Sequence, residues 1–328
     1  MRRRQFVRLV GGAAVAVWPL VAYSEESAKP VIGFLGSASA AAWVPIVAAF
    51  RDGLNETGFV EGRNVAIEFR YAEGHYDRLP ALAAELVSRK VNVIFANGGS
   101  APALAAKAAT TTIPIVFETG GDPVRAGLVA SLNRPGGNIT GVTWTASALS
   151  AKRLDLLHQI VPKASTIGLM VNPNYPEAKL QVSDLQEAAT ALGVQIYPVN
   201  VSSEDAADKA FAELAQRNIA ALLVANDPFL ATLREQLVAL SRRYAIATIY
   251  PLREDAQAGG LISYGTSLPE QVRQGGIYTG RILKGAAPAE LPVLQPTRFT
   301  MVINLKTARA LGLEVPPGIM AITDEVIE

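Results

Sequence analysis

Short β-branched runs alternate with helical stretches along this chain, and this alternation is the strongest constraint on its fold. Residues 31–35, 65–69, 91–95 and 113–117 have the composition of buried strands, whereas residues 79–87 place leucine, alanine and valine at helical spacing. Strands that are separated by helices pair in parallel and carry the helices on both faces of the sheet. The sequence therefore predicts a doubly wound α/β lobe that begins near residue 29.

The same order of elements starts again in the second half of the chain. Segment 84–97 runs from a helix through a turn into a strand, and segment 212–226 repeats this order; both end in Ala-Asn. The match needs one extra residue, so chance similarity between two βα units remains an alternative. Because 328 residues exceed the usual size of one hydrophobic core, we favour two similar lobes.

The expected division of the chain depends on where it passes between the lobes. A Pro-Gly-Gly turn at 135–137, followed by a short strand, is typical of a first crossover. The helix predicted over 270–283 is expected to return to lobe one, and the tail to add one strand over 299–303 and a helix over 307–311. We therefore expect about three crossovers, with the lobes assigned as follows: 29–142 plus about 266–295 in lobe one, and 143–265 plus part of 296–328 in lobe two.

The first 24 residues have the features of an export signal. Four arginines precede an apolar run of 14 residues, and small residues suitable for cleavage follow. Segment 3–8 is similar to a twin-arginine signal, with the general secretory route as the alternative. A membrane anchor is disfavoured, because a spanning helix needs about 20 apolar residues.

Charge and composition exclude several classes of function. Cleavage after residue 24 removes four of the 30 basic residues and leaves 26 against 29 acidic ones, a formal net charge of −3, so nucleic acid is not an expected partner. The absence of cysteine excludes thiol catalysis, thiolate metal sites and a lipidated N-terminal cysteine. We therefore expect a monomer that is free in the periplasm and needs no cofactor.

Catalytic motifs are equally sparse. His75 and His158 have no carboxylate partners at the spacing of a zinc site, and the sequence contains no Gly-x-Ser-x-Gly elbow. We therefore expect no metal and no enzymatic activity. A periplasmic α/β enzyme and a sensory module with the same fold stay open as less favoured alternatives.

The candidate binding residues lie in loops that follow the predicted strands. Ligands bind beyond the carboxyl ends of parallel strands, and in two facing lobes these ends would border one cleft. The glycine-rich turn at 97–100 enters a helix and is suited to a ligand carboxylate, with simple helix capping as the alternative. The candidate ligand-binding residues are Ser37, Asn97, Gly98, Gly99, Ser100, Thr119, Asn174, Tyr175, Asn226, Asp227, Tyr250 and Glu254.

Several of these side chains suggest particular roles. Tyr175 and Tyr250 offer a ring and a hydroxyl to an aromatic or apolar ligand, with packing in a turn as the alternative. Asp227 and Glu254 are candidates for an ammonium group, although acids at these positions more often cap helices. Trp144 follows the first crossover and is expected either at the floor of the cleft or in the core.

Five segments together resemble a known family. They are Asp122–Val129, Arg134–Gly141, Ile303–Ala308, Ala310–Pro317 and Asp324–Glu328. With these segments the chain resembles, over about residues 29–328, the ABC-transporter substrate-binding family that includes tryptophan-binding lipoproteins.

The resemblance implies a type I periplasmic-binding-protein fold with a cleft between its lobes. It also implies a small aromatic or related acid as ligand, and a membrane permease with its ATPase as partners. The family's lipid attachment is not implied, because this sequence has no cysteine. The sequence thus indicates a periplasmic solute-binding protein that captures an amino acid or aromatic acid by hinge closure.

Overall fold

A computed structural model describes residues 29–144 and 146–328, so the predicted export signal over 1–24 lies outside the described residues. The described chain forms two sheets dominated by parallel strands, the type I periplasmic-binding-protein fold. Within the described ranges, no helix combines the length and the apolarity that crossing a membrane would require.

Five parallel strands form the first sheet, in the order β2-β1-β3-β4-β5. Alternate residues of these strands face two separate cores: Ile94 and Ala96 of β3 pack on one side, Val93 and Phe95 on the other. This pattern explains why the strands read as continuous apolar runs. The strands are β1 (Val31–Gly36), β2 (Ala66–Tyr71), β3 (Val93–Asn97), β4 (Ile115–Thr119) and β5 (Ile139–Thr143). The helices between them are α1 (Val44–Glu56), α2 (Leu79–Ser88) and α3 (Ser100–Ala109).

The second sheet starts after the first crossover and repeats the alternation. Its parallel part has the order β10-β9-β8-β6-β7 and lies between two further apolar cores. The strands are β6 (Thr166–Val171), β7 (Gln195–Asn200), β8 (Ala221–Val224), β9 (Ala247–Tyr250) and β10 (Ile262–Gly265). The helices are α4 (Ala146–Ile160), α5 (Ala178–Leu192), α6 (Glu204–Gln216), α7 (Pro228–Thr232), α8 (Arg234–Arg243) and α9 (Arg253–Gln257).

The chain then returns to the first sheet and crosses back once more. Helix α10 (Leu268–Leu283) packs on α1, and Leu294 forms a bridge to β5. Strand β11 (Thr300–Asn304) then joins β10 of the second sheet. The described chain therefore passes three times between the sheets. We call β1–β5 with α1–α3 and α10 lobe one, and the second sheet with its helices lobe two; the division proposed from sequence rests on the same passages.

The C-terminal tail is more elaborate than the sequence pattern indicates. Strand β11 pairs antiparallel with β10, so the second sheet is mixed. Two helices, α11 (Leu305–Ala310) and α12 (Pro317–Ala321), then lead to β12 (Glu325–Ile327), which pairs parallel with β11. The expected single tail strand is therefore corrected to two, because three residues are too few to show an alternating pattern.

Glycines allow α10 to approach α1 closely. A Cβ atom at Gly276 would collide with the carbonyl oxygen of Phe50, and one at Gly53 with that of Arg273. The two backbones are therefore in direct contact, which fixes the returning helix to the first lobe.

Replacement of Gly276 by alanine should test this contact. We expect Gly276→Ala to lower the free energy of unfolding by about 1–3 kcal/mol, because overpacking forces the helices apart. Gly318 of α12 has open space around it, so Gly318→Ala should be neutral or slightly stabilising. Urea unfolding of both variants is the measurement; equal stabilities would contradict the tight packing of α10 on α1.

Candidate ligand-binding cleft

A partly open cavity of about 140 Å³ lies between the two lobes. Its wall is mostly apolar, and the polar groups on it are few. From lobe one it contains Ala42, Trp43, Pro45, Ile46, Gly98, Gly99, Glu118, Gly120, Leu268 and Pro269. Trp144 contributes from the first crossover. From lobe two it contains Tyr175, Asn226, Asp227, Pro228, Ala231, Thr232, Arg234, Leu252 and Glu254.

The ends of parallel strands bring these residues together. Gly98 directly follows β3, Asn226 follows β8 closely, and Leu252 follows β9 closely. Trp43 lies just before α1 and packs in the core on that side of lobe one. Trp144 and Leu252 form a small apolar cluster that joins the crossover to lobe two. The cavity thus lies where both sheets present their carboxyl ends.

The lobes touch each other around the cavity. The Tyr76 hydroxyl donates to Asp227 Oδ2 at 3.2 Å, and the rings of Tyr76 and Tyr175 lie 6.0 Å apart. Outside the cavity, Arg125 of lobe one pairs with Asp184 of lobe two at 3.2 Å. These contacts connect residues from both lobes, so the structure has the lobes closed on one another.

Glu118 is a buried carboxylate at the end of β4. Its Oε2 accepts hydrogen bonds from Asn97 Nδ2 at 2.8 Å and from the Gly98 amide at 3.2 Å. Its Oε1 accepts from the indole Nε1 of Trp144. Burial raises the pKa of Glu118 to about 7, although the Gly98 and Trp144 hydrogen bonds lower it. The carboxylate that occupies the turn at 97–100 is therefore the protein's own.

The charged groups of lobe two differ in how they are satisfied. Asp227 Oδ1 caps α7 by accepting from the Leu230 amide at 2.8 Å, and burial raises the pKa of Asp227 to about 6. Arg234 donates its Nε–H to Asp255 at 2.8 Å. Glu254 Oε2 is buried and has no hydrogen-bond partner in the described part of the chain.

Six of the twelve residues proposed from sequence line this cavity. They are Gly98, Gly99, Tyr175, Asn226, Asp227 and Glu254. All six come from loops at strand ends, or from the first turn of the helix that follows, which explains why sequence position alone could select them.

Three of the other six support the turns of lobe one. Ser37 donates its hydroxyl to the Gly98 carbonyl at 2.9 Å, and Thr119 Oγ1 accepts from the Gly121 amide at 3.1 Å. Asn97 donates from Nδ2 to Glu118 Oε2 at 2.8 Å and does not itself line the cavity. The expected ligand contacts of these side chains are corrected to contacts within the protein.

The remaining three also lie off the cavity wall. Ser100 is buried at the start of α3, and Asn174 is exposed. Tyr250 is the clearest correction: its ring belongs to a core of lobe two, and its hydroxyl lies 2.6 Å from Ser241 Oγ. As the last residue of β9, it follows the strand alternation into the core.

Sequence reasoning missed several residues of the cavity wall. Arg234 begins a helix two residues after α7 ends, where no strand-end rule applies. Leu268 and Pro269 reach the cleft only because α10 returns to lobe one. Glu118 had a usable signal, since it directly follows the predicted strand 113–117, whereas Trp43 lies eight residues beyond the predicted strand 31–35 and had none.

The fold and the cleft define a two-lobe binding protein of the type I periplasmic class. The chain matches the family "ABC transporter substrate binding protein" over residues 32–327 and belongs to it. This is a family of substrate-binding proteins, not of enzymes.

Relatives and solved structures agree with this assignment. The chain is 28% identical over 266 residues to a "Tyrosine-binding protein" of Clostridioides difficile (strain R20291), covering 81% of this chain and 76% of that protein. It is similar to the ABC domain from Streptococcus pneumonia in complex with L-Trp, with a TM-score of 0.81, 24% identity and coverage of 91% and 100%. The ligand-free, open structure of a substrate binding protein with adhesive properties from Clostridium difficile has a TM-score of 0.64, 28% identity and coverage of 91% and 99%.

The raised pKa of Glu118 should appear in the pH dependence of stability. The folded state holds this proton up to about pH 7, whereas the unfolded chain releases it near 4.5, so the free energy of unfolding falls as the pH rises between these values. We expect wild type to lose up to about 3 kcal/mol more than Glu118→Gln between pH 5 and pH 8. Urea unfolding at both pH values measures this, with the exposed Glu235→Gln as control; parallel losses in wild type and Glu118→Gln would refute it.

Proposed function

We propose that this chain is the substrate-binding component of an ABC importer and that it captures an amino acid with an aromatic side chain. It would deliver this ligand to a membrane permease that works with a cytoplasmic ATPase. The interlobe cavity, with two tryptophans, one tyrosine and a few charged groups on its wall, carries the proposal.

The wall of the cavity supports an aromatic ligand. Trp43, Trp144 and Tyr175 present aromatic surface, and Leu252 and Ile46 add aliphatic contacts. Ligand sites of this kind gain affinity from apolar burial and orientation from a few polar groups. The related tyrosine-binding protein and the similar L-Trp complex favour the same class of ligand.

Capture by closure of the lobes is part of the proposal. The interlobe contacts made by Tyr76 and Arg125 are available only when the lobes are together. The structure also superposes better on the L-Trp complex than on the open, ligand-free protein, although its identity to the latter is higher. A ligand that contacts both lobes would select this closed arrangement over an open one.

The proposed function also implies where the protein acts. We propose export to the periplasm through the predicted signal over 1–24, and action there as a monomer. Family membership supports a location outside the cytoplasm.

Direct binding measurements test the ligand class. We expect L-tryptophan or L-tyrosine to stabilise residues 25–328, by about 2.7 kcal/mol at a hundredfold excess over Kd. Trp43→Leu should weaken binding about tenfold through loss of ring contacts, whereas Tyr197→Leu on the outer strand β7 should not. Thermal shift and titration calorimetry are the measurements. Failure of all aromatic amino acids to bind wild type would refute the assignment.

A wedge between the lobes tests closure. A Cβ atom at Gly120 would collide with Asn226 Nδ2 of lobe two and lie 3.0 Å from the Trp144 ring. We expect Gly120→Ala and Gly120→Val to weaken binding progressively and to reduce the ligand-induced fall in the radius of gyration. Small-angle scattering with and without ligand measures this fall. Closure without hindrance in Gly120→Val would contradict the proposed motion.

A further inference from the structure

The two lobes contribute very different chemistry to the cavity wall. Lobe one supplies apolar side chains and glycines, and its only charged side chain among the described wall residues is Glu118. Lobe two supplies Asn226, Asp227, Arg234 and Glu254. A polar ligand head therefore meets its complementary groups on lobe two.

Two donors at the turn of lobe one are already engaged by a carboxylate of the protein. The Gly98 amide and the Asn97 amide group both donate to Glu118. A ligand carboxylate at this turn would lie beside another carboxylate and compete for the same hydrogens. This arrangement disfavours the turn at 97–100 as the anion site.

Arg234 differs from the turn in carrying a positive charge together with donors that are not engaged. It is the only basic side chain among the described residues of the cavity wall. Asp255 holds it through Nε alone, and the two terminal nitrogens have no hydrogen-bond partner within the described ranges. A guanidinium fixed at one edge and open at the other matches the two oxygens of a carboxylate.

Glu254 supplies the opposite charge close by. It precedes Asp255 in α9, so the Arg234–Asp255 pair brings the guanidinium to the same short helix. No ion pair joins Glu254 to Arg234 in the part of the chain that the structure describes. Glu254 lines the cavity and its buried Oε2 has no hydrogen-bond partner among the described residues, so a ligand ammonium group would supply the donor that this carboxylate lacks.

We infer that Arg234 and Glu254 bind the two charged groups of a zwitterionic ligand: Arg234 binds its carboxylate and Glu254 its ammonium group. This inference rests on the proposed function and specifies it. Lobe two holds the charged head of the amino acid, and lobe one covers its side chain with Trp43 and neighbouring apolar residues. Both charged groups of the ligand are therefore required for full affinity.

Ligands that lack one charge allow each residue to be tested separately. The probes are L-tryptophan, tryptamine without the carboxylate, and indole-3-propionate without the amino group. For wild type we expect each truncated probe to bind about 10- to 100-fold more weakly than L-tryptophan, the loss of one charged hydrogen-bonded contact. If L-tyrosine binds in place of L-tryptophan, tyramine and 3-(4-hydroxyphenyl)propionate are used.

Each variant should abolish the recognition of one charged group of the ligand. Arg234→Gln should weaken the binding of L-tryptophan at least tenfold and leave the affinity for tryptamine within about twofold of the wild-type value. Glu254→Gln should weaken the binding of L-tryptophan and of tryptamine and leave the affinity for indole-3-propionate unchanged. Arg253→Gln and Glu235→Gln, neighbours that lie off the cavity wall, are the matched controls and should bind all three probes as wild type does.

The outcomes separate this inference from the proposed function. Tryptamine binding by Arg234→Gln shows that the cavity of this variant is intact. Arg234→Lys, which keeps the charge, is a second test, and we expect it to lose an intermediate part of the affinity for L-tryptophan. Equal loss for L-tryptophan and tryptamine in the arginine variants, or unchanged affinity in both Gln variants, overturns the inference while aromatic amino-acid binding stands. Failure of wild type to bind any aromatic amino acid overturns both.

Discussion

The hydrogen bonds of Glu118 connect three parts of the molecule that must meet for the cleft to exist. They reach the turn after β3 through Gly98, the amide of Asn97, and the indole of Trp144 on the first crossover. Burying a carboxylate is costly, and these three donors offset only part of that cost, as the raised pKa of Glu118 shows. Trp144 lines the cavity and lies on the connection between the lobes. By accepting its hydrogen bond, Glu118 fixes part of the cavity wall relative to that connection.

The hydrogen bonds of Glu118 also contribute to the chemical difference between the two lobes. With the Gly98 amide and the Asn97 side chain bound to Glu118, the cavity wall of lobe one consists mainly of rings, aliphatic groups and glycines. The glycines matter because the lobes approach closely: a Cβ atom at Gly99 would lie 2.8 Å from the Tyr175 hydroxyl. Small residues on lobe one thus leave room for the larger polar side chains of lobe two where the lobes are in contact.

Much of this architecture could be predicted from the sequence, and the remainder has physical reasons. Parallel strands place their following loops at one edge, so Gly98, Asn226 and Asp227 could be found without a structure. Tyr250 ends its strand in the same way, but the direction of its ring depends on the register of β9 and its packing against Ser241. Arg234 and Leu268 reach the cavity through tertiary packing of helices, for which a local pattern contains no signal.

The contact between α1 and α10 has a consequence for the biosynthesis of the chain. The ribosome makes α1 early and α10 only after most of lobe two, so the face of α1 around Gly53 has no partner until late in translation. Lobe one cannot complete its core until α10 has been made, and lobe two lacks β11 and β12 until the very end of the chain. Both lobes are therefore expected to finish folding only when synthesis of the chain is nearly complete.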